Sequence, residues 1–86
     1  GQMVFLTAGE KEVRSWLMSK NGTALEAAGC VHSDFIKKFI RCEVFSCDDL
    51  VRLGSEREVK AQGLNHRETK DYIVKEGDVL LFHIAQ

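Results

Sequence analysis

The run Val79-Leu80-Leu81-Phe82-His83-Ile84 constrains this chain more than any other stretch. Only His83 interrupts its apolar character, so it has almost no polar face. A strand of that kind is covered on most of its surface and belongs in the middle of a sheet. Before it comes Asp71-Tyr72-Ile73-Val74, whose aromatic and β-branched residues fit a pleated surface. Between the two, Lys75-Glu76-Gly77-Asp78 places a glycine where a short reversal needs one. Lys70 to Ile84 thus predicts a closing hairpin whose second strand is central.

The rest of the chain supplies partners for that strand. Met3 to Thr7 reads as a strand, Ala8-Gly9-Glu10-Lys11 as a turn, and Glu12 to Ser19 as a second strand with alternating character. Thr23 with Glu26 three residues on is a capping-box signature, so a helix begins there and closes near Val31 and His32. Ser33-Asp34 predicts a fresh cap for a short helical turn over Phe35 to Phe39. Ile40 to Ser46 alternates again and predicts a third strand, followed by a helical turn over Asp48 to Leu53. Ser55 with Glu58, and Gly63 beyond, punctuate a second helix over Ser55 to Gln62. Leu64 to Thr69 reads as a polar loop.

A hairpin, a helix crossing to a third strand, and a central last strand together limit the topology. They predict an α+β fold of the β-grasp (ubiquitin-like) kind. About five strands form a mixed sheet on one main helix plus a short second helix, with the first and last strands parallel neighbours. A ferredoxin-like split βαβ is the nearest competitor, but it opens strand-helix rather than strand-strand.

Eighty-six residues hold one domain, residues 1–86. The net charge of −1 gives no global basic footprint, so nucleic-acid contact would have to come from a local patch. No apolar run is long enough to span a bilayer, and no signal-peptide pattern opens the chain. The three cysteines lack a Cys-x-x-Cys spacing, and a reducing, cytoplasmic setting is the simplest reading. Gly1-Gln2 leads abruptly into strand-like sequence. That reads as an excised domain, with Gly1 and Gln2 open to reading as a cloning remnant.

Several segments resemble a known family. KDYIVKEGDVLLF, ending at Phe82, is similar to the close of the YchF-type Obg-like ATPases. FLTAGEKEVRSW, AAGCVHSDFIKKFIRCEV and GSEREVKAQG resemble the preceding parts of the same C-terminal region, a TGS domain, so the likeness covers nearly the whole chain. The chain departs from the family pattern at Leu25 (family proline), at Lys38-Phe39-Ile40 (family Gly-Phe-Ile), at Thr69 (family glycine) and in the closing His83-Ile84-Ala85-Gln86. The resemblance implies a β-grasp fold and a non-catalytic accessory or regulatory domain of an ATP/GTP-binding protein. It implies contact with the parent's upstream G domain and with RNA, the ribosome or a partner protein, and no membrane. ATP or GTP with Mg2+ would belong to the parent. This chain contains no Gly-x-x-x-x-Gly-Lys-Ser/Thr loop, so it is not itself expected to be an enzyme or to hold a cofactor. A stand-alone ubiquitin-like protein-interaction module is the alternative. A small-ligand pocket between helix and sheet has no converging polar groups to support it.

Two basic clusters are the candidate RNA- or partner-binding residues: Lys37, Lys38 and Arg41, and His66, Arg67 and Lys70. Phosphate contact with steep salt dependence is the chemistry they would supply. Interleaved Glu43, Glu68 and Asp71 make solvated surface charge the plainer reading. Trp16 and Tyr72 are the aromatics able to stack on a base. Cys30, His32, Cys42 and Cys47 match no common zinc spacing, so no metal site is expected. His32-Ser33-Asp34 are too close in sequence to converge as a catalytic triad, so no catalytic residue is expected. Glu43, Asp48 and Asp49 read as helix N-terminal charge rather than a cation site.

Overall fold

The computed structural model describes residues 1–9 and 12–86; Glu10 and Lys11, half of the expected first turn, lie outside the described residues. In chain order the elements are β1 (Gln2–Ala8), β2 (Val13–Ser19), α1 (Ala24–Val31), α2 (Asp34–Lys38) and β3 (Phe39–Ser46). Then come α3 (Cys47–Leu53), α4 (Glu56–Ala61), β4 (His66–Glu68) and β5 (Asp78–Ile84). The strands form one sheet in the order β2-β1-β5-β3-β4. β1 and β5 are parallel, and the other pairs are antiparallel. The apolar last strand is therefore central, beside the first, as its composition demanded.

Side chains alternate across the sheet and divide the core in two. On one face, Phe5, Met3, Met18, Cys42, Val44 and Leu80 pack against Ala24 and Ala27 of α1. On the other, Phe45 and Val79 pack with Val59 of α4, joined by Leu50 and Leu53 of α3. This second layer explains why the last strand carries so little polarity: both its faces meet helices. It also extends the expectation of one main helix and a short second one. The α3–α4 pair supplies a cover for the far face.

The closing hairpin is corrected. Asp71 to Val74 is not a sheet strand; the fourth strand is His66–Glu68, within the stretch read as a polar loop. The reason lies in where the backbone groups go. Ala24 and Leu25 at the start of α1 donate their N–H groups to the carbonyls of Tyr72 (2.8 Å) and Lys70 (3.1 Å), and Val74 donates to Gly22 (3.0 Å). The segment thus satisfies helix-end amides that otherwise lack acceptors, while Val74 still fills the core. Among the described residues its only bridge is an isolated antiparallel one from Ile73 to the cap residue Thr23, and of its two β-branched residues Val74 is buried while Ile73 is exposed. His66 to Glu68 is short and charged, as suits an edge strand. It pairs with Cys42 to Val44.

Gly77 forms the third position of a turn in which Asp78 N–H donates to the Lys75 carbonyl (3.0 Å), and its φ is +82°. A Cβ placed there would meet nothing within 4 Å, so the penalty for substitution is torsional. Gly77→Val is expected to cost about 1–3 kcal/mol, read as a lowered urea midpoint. An unshifted midpoint would contradict the left-handed conformation.

The helix starts follow their signals with one exception. Thr23 Oγ1 accepts from Glu26 N–H (3.2 Å), and Thr23 N–H donates back to the Glu26 carboxylate (3.4 Å). Ser55 Oγ accepts from Glu58 N–H (3.1 Å), and Gly63 follows α4 at φ +70°. At α2, however, Ser33 makes no capping hydrogen bond. His32 Nδ1 accepts from Asp34 N–H instead (3.1 Å), because Ser33 already has helical backbone angles.

Candidate nucleic-acid interface

Register decides which of the basic residues meet. Arg41 lies opposite His83, and Glu43 lies opposite Leu81 on one side and Arg67 on the other. Alternation puts Arg41, Glu43, Arg67 and His83 on the same face, the one that α3 and α4 cover only in part. Lys37 and Lys38 are exposed in the last turn of α2, and the chain enters β3 directly after them. The Lys38 carbonyl accepts from Ala85 N–H (2.7 Å), which ties this basic end to the end of β5. The fold therefore places Lys37, Lys38 and Arg41 around the start of β3, with Arg67 opposite Glu43 further along, on the neighbouring edge strand.

It separates His66 and Lys70 from them. His66 projects to the opposite face, where its Nδ1 lies 2.8 Å from Glu68 Oε2 and its ring meets Tyr72 edge-on at 6.0 Å. Lys70 sits at the amino end of α1. The second basic cluster thus divides at the strand: neighbours in a strand point to opposite faces.

Glu43 organises the open face. Its Oε2 lies 2.7 Å from His83 Nε2, and its Oε1 accepts from Asn65 Nδ2 at 2.8 Å. The His83 hydrogen bond chiefly holds this carboxyl below its ordinary 4.5; burial opposes, and Lys60 and Asn65 reinforce the lowering. Both carboxylate oxygens are committed to these partners. Arg41 and Arg67 make no ion pair among the described residues, and the Arg41 Nε is buried without a hydrogen-bond partner. Ala8, Leu81, His83, Glu43, Glu56 and Lys60 line part of an adjoining groove of about 380 Å3. His83, Asn65 and Lys60 escaped the sequence reading. The signal for His83 was its place as the one polar residue of the run Val79 to Ile84.

The other candidates resolve structurally. The Trp16 ring stacks on Phe5 (6.4 Å between centroids, 15° between planes), lies under the Arg14 guanidinium (5.2 Å), and donates Nε1–H to Thr7 Oγ1 (3.0 Å). Its π-surface is engaged within the domain. Tyr72 donates its hydroxyl to Asp78 Oδ2 (2.6 Å). Asp48 and Asp49 do occupy the first turn of α3, whereas Glu43 belongs to the β3 site. Cys30, His32, Cys42 and Cys47 do not gather: among the described residues no group of three His, Cys, Asp or Glu side chains has a metal-holding arrangement.

Cys42 is buried, and that burial, helped by the charges of Glu68 and Asp78, pushes its thiol from 9.0 up to about 11. A raised folded-state value favours the protonated form. The stabilisation is complete below pH 9.0 and is lost as pH rises toward about 11. Urea midpoints are expected to decline across that window less steeply in Cys42→Ala than in the parent chain. Equal slopes would show that Cys42 does not contribute. Among the described residues no helix is long and apolar enough to cross a membrane.

A mixed sheet of five strands, its first and last strands parallel at the centre and its helices laid on both faces, is an α+β domain of the β-grasp class. Residues 3–85 match the profile of the family described as YchF-GTPase_C, protein of unknown function (DUF933), and the chain belongs to that family. It corresponds to the C-terminal TGS-like domain of the YchF and Obg-like ATPases. It is 49% identical over 78 residues to the ribosome-binding ATPase YchF of Mycoplasma genitalium, covering 91% of this chain and 21% of that protein. It is 46% identical to Obg-like ATPase 1 of Oryza sativa subsp. japonica, covering 91% of this chain and 20% of that protein. A solved structure, the Schizosaccharomyces pombe YchF GTPase, superposes with a TM-score of 0.86 at 34% identity, covering 95% of this chain and 22% of the other. The chain thus spans about a fifth of the length of these relatives.

Proposed function

We propose that this domain is a non-catalytic accessory module of a cytoplasmic P-loop ATPase or GTPase and docks its parent onto ribosomal RNA by phosphate contact. The observation that carries this reading is the basic end of the sheet. Lys37, Lys38 and Arg41 share it, Arg67 lies further along on the adjacent edge strand, and none of the four makes an ion pair among the described residues. The name of the Mycoplasma relative, a ribosome-binding ATPase, supports the choice of partner. Nucleotide and Mg2+ belong to the parent's upstream G domain in this reading, because this chain carries no phosphate-binding loop. Engagement of Trp16 and Tyr72 within the domain favours backbone contact over base stacking.

Titration of single-stranded RNA across salt tests the reading. Each phosphate neutralised adds a slope of about −0.7 to log K against log salt, so up to four contacts give roughly −3. The combined Lys37→Glu, Lys38→Glu and Arg67→Glu variant is expected to lose most of both affinity and slope. RNA binding by that variant equal to the parent's would sink the proposal.

An adaptor for a protein partner is the second reading. It rests on Leu17 and Val13, which are 62% and 50% exposed on the sheet face away from α1. Absence of RNA binding at low salt would favour it.

A further inference from the structure

Two groups on the open face of β3–β5 have unspent hydrogen-bonding capacity. Arg41 carries a buried Nε without a partner, and Arg67 lies opposite Glu43 with no carboxylate of its own among the described residues. His83 completes the arrangement, directly across from Arg41 and half-buried. Its Nε2 is committed to Glu43 at 2.7 Å, so only Nδ1 remains to meet a ligand, and Nδ1 makes no hydrogen bond among the described residues.

That commitment has a chemical consequence. With Nε2–H donated to Glu43, neutral His83 offers an acceptor at Nδ1, which repels a phosphate oxygen. Only the imidazolium is a donor at both nitrogens. Around His83 lie Glu43 and Arg41 from β3 and, in the same groove, Lys60 and Glu56 from α4; Arg67 of β4 lies beyond β3, opposite Glu43. Lys60 pairs with Glu56 at 3.2 Å, which leaves Glu43 to balance the imidazolium and the two arginines to hold an anion.

We propose that Arg41, Arg67 and His83 form a phosphodiester-binding subsite that takes up a proton at His83 Nδ1 when it fills. It rests on the RNA-docking reading for its biological ligand, but its chemistry requires only a phosphate anion. Glu43 is the positioning residue: it fixes the imidazole through Nε2 without contacting the ligand.

The test uses the 86-residue chain with two probes, a short mixed-sequence single-stranded RNA and inorganic pyrophosphate. Calorimetry in buffers of differing ionisation enthalpy, between about pH 6 and about pH 8, counts the protons taken up. Imidazole resonances read occupancy at His83. The parent chain is expected to take up protons and to bind more weakly as pH rises, by at most about tenfold per pH unit. His83→Gln is expected to lose the uptake and keep the weak, high-pH affinity. Arg67→Glu, on an exposed edge strand, is expected to lose about tenfold at either pH. Unaltered proton uptake in His83→Gln, or parent-like binding by Arg67→Glu, overturns the subsite.

The two proposals separate cleanly. RNA binding that depends on Lys37 and Lys38 but not on Arg67 and His83 leaves docking standing and removes the subsite. Pyrophosphate that shifts His83 without any RNA binding does the reverse. No response to either probe removes both.

Discussion

Phe5→Ala is expected to destabilise the domain by about 3–5 kcal/mol, the largest loss among the substitutions considered. Phe5 is fully buried at the middle of β1. It belongs to the cluster that joins Met3, Met18, Val44 and Leu80 of the sheet to Ala24 and Ala27 of α1, and it stacks on Trp16. Alanines on the facing helix cannot grow to fill the space, so the cavity persists. Domains are stable by only about 5–15 kcal/mol in total, and small ones lie toward the low end. A large unfolded fraction at 37 °C is therefore the expected result, read by circular dichroism and a urea titration. Leu17→Ala on the same hairpin is the control. Leu17 is 62% exposed, so its loss is expected to stay within about 0.5 kcal/mol. Similar midpoints for the two variants would mean that the core is not where the fold places it.

Asp78→Ala comes next, at about 2–4 kcal/mol, for a different reason. Asp78 is the one polar residue among the buried side chains described, 8% exposed. Its Oδ2 accepts from the Tyr72 hydroxyl (2.6 Å) and from Lys75 N–H (2.9 Å). Truncation leaves both donors without their acceptor and unties the turn that delivers β5 into the sheet. Tyr72→Phe removes one of these bonds without stranding the Lys75 amide, so a smaller loss is expected. Equal losses in the two variants would assign the whole effect to the Tyr72–Asp78 hydrogen bond and none to the Lys75 amide.

Much of this architecture was written in local pattern. A strand-like apolar run gave β1, alternation gave β2 and β3, and the Thr23–Glu26 and Ser55–Glu58 pairs marked two helix starts. The apolar run to Ile84 named the central strand, and KDYIVKEGDVLLF named the family. What pattern misread was the segment Asp71 to Val74. Aromatic and β-branched residues suit any extended segment, and composition does not say whether its backbone pairs with a strand or with a helix end. The true fourth strand, His66 to Glu68, is polar because an edge strand needs little burial. The basic surface was legible only as residue types. Whether Arg67 meets Arg41 or Lys70 depends on strand register, a long-range quantity that neither cluster encodes locally. His83 was hidden for the same reason: its significance comes from lying across from Arg41, forty-odd residues earlier in the chain.

The parallel pairing of β1 with β5 also bears on synthesis. These strands are the most distant in sequence, yet Leu6 and Thr7 align with Val79 and Leu80 at the sheet's centre. A chain emerging from its amino end can close the β1–β2 hairpin and wind α1, but the slot beside β1 stays open until Val79 to Ile84 arrives. Until then Phe5 and Val44 have no strand between them. Folding of the sheet therefore waits on its last strand, and the nascent domain spends most of its elongation with an apolar seam exposed to whatever stands at the exit.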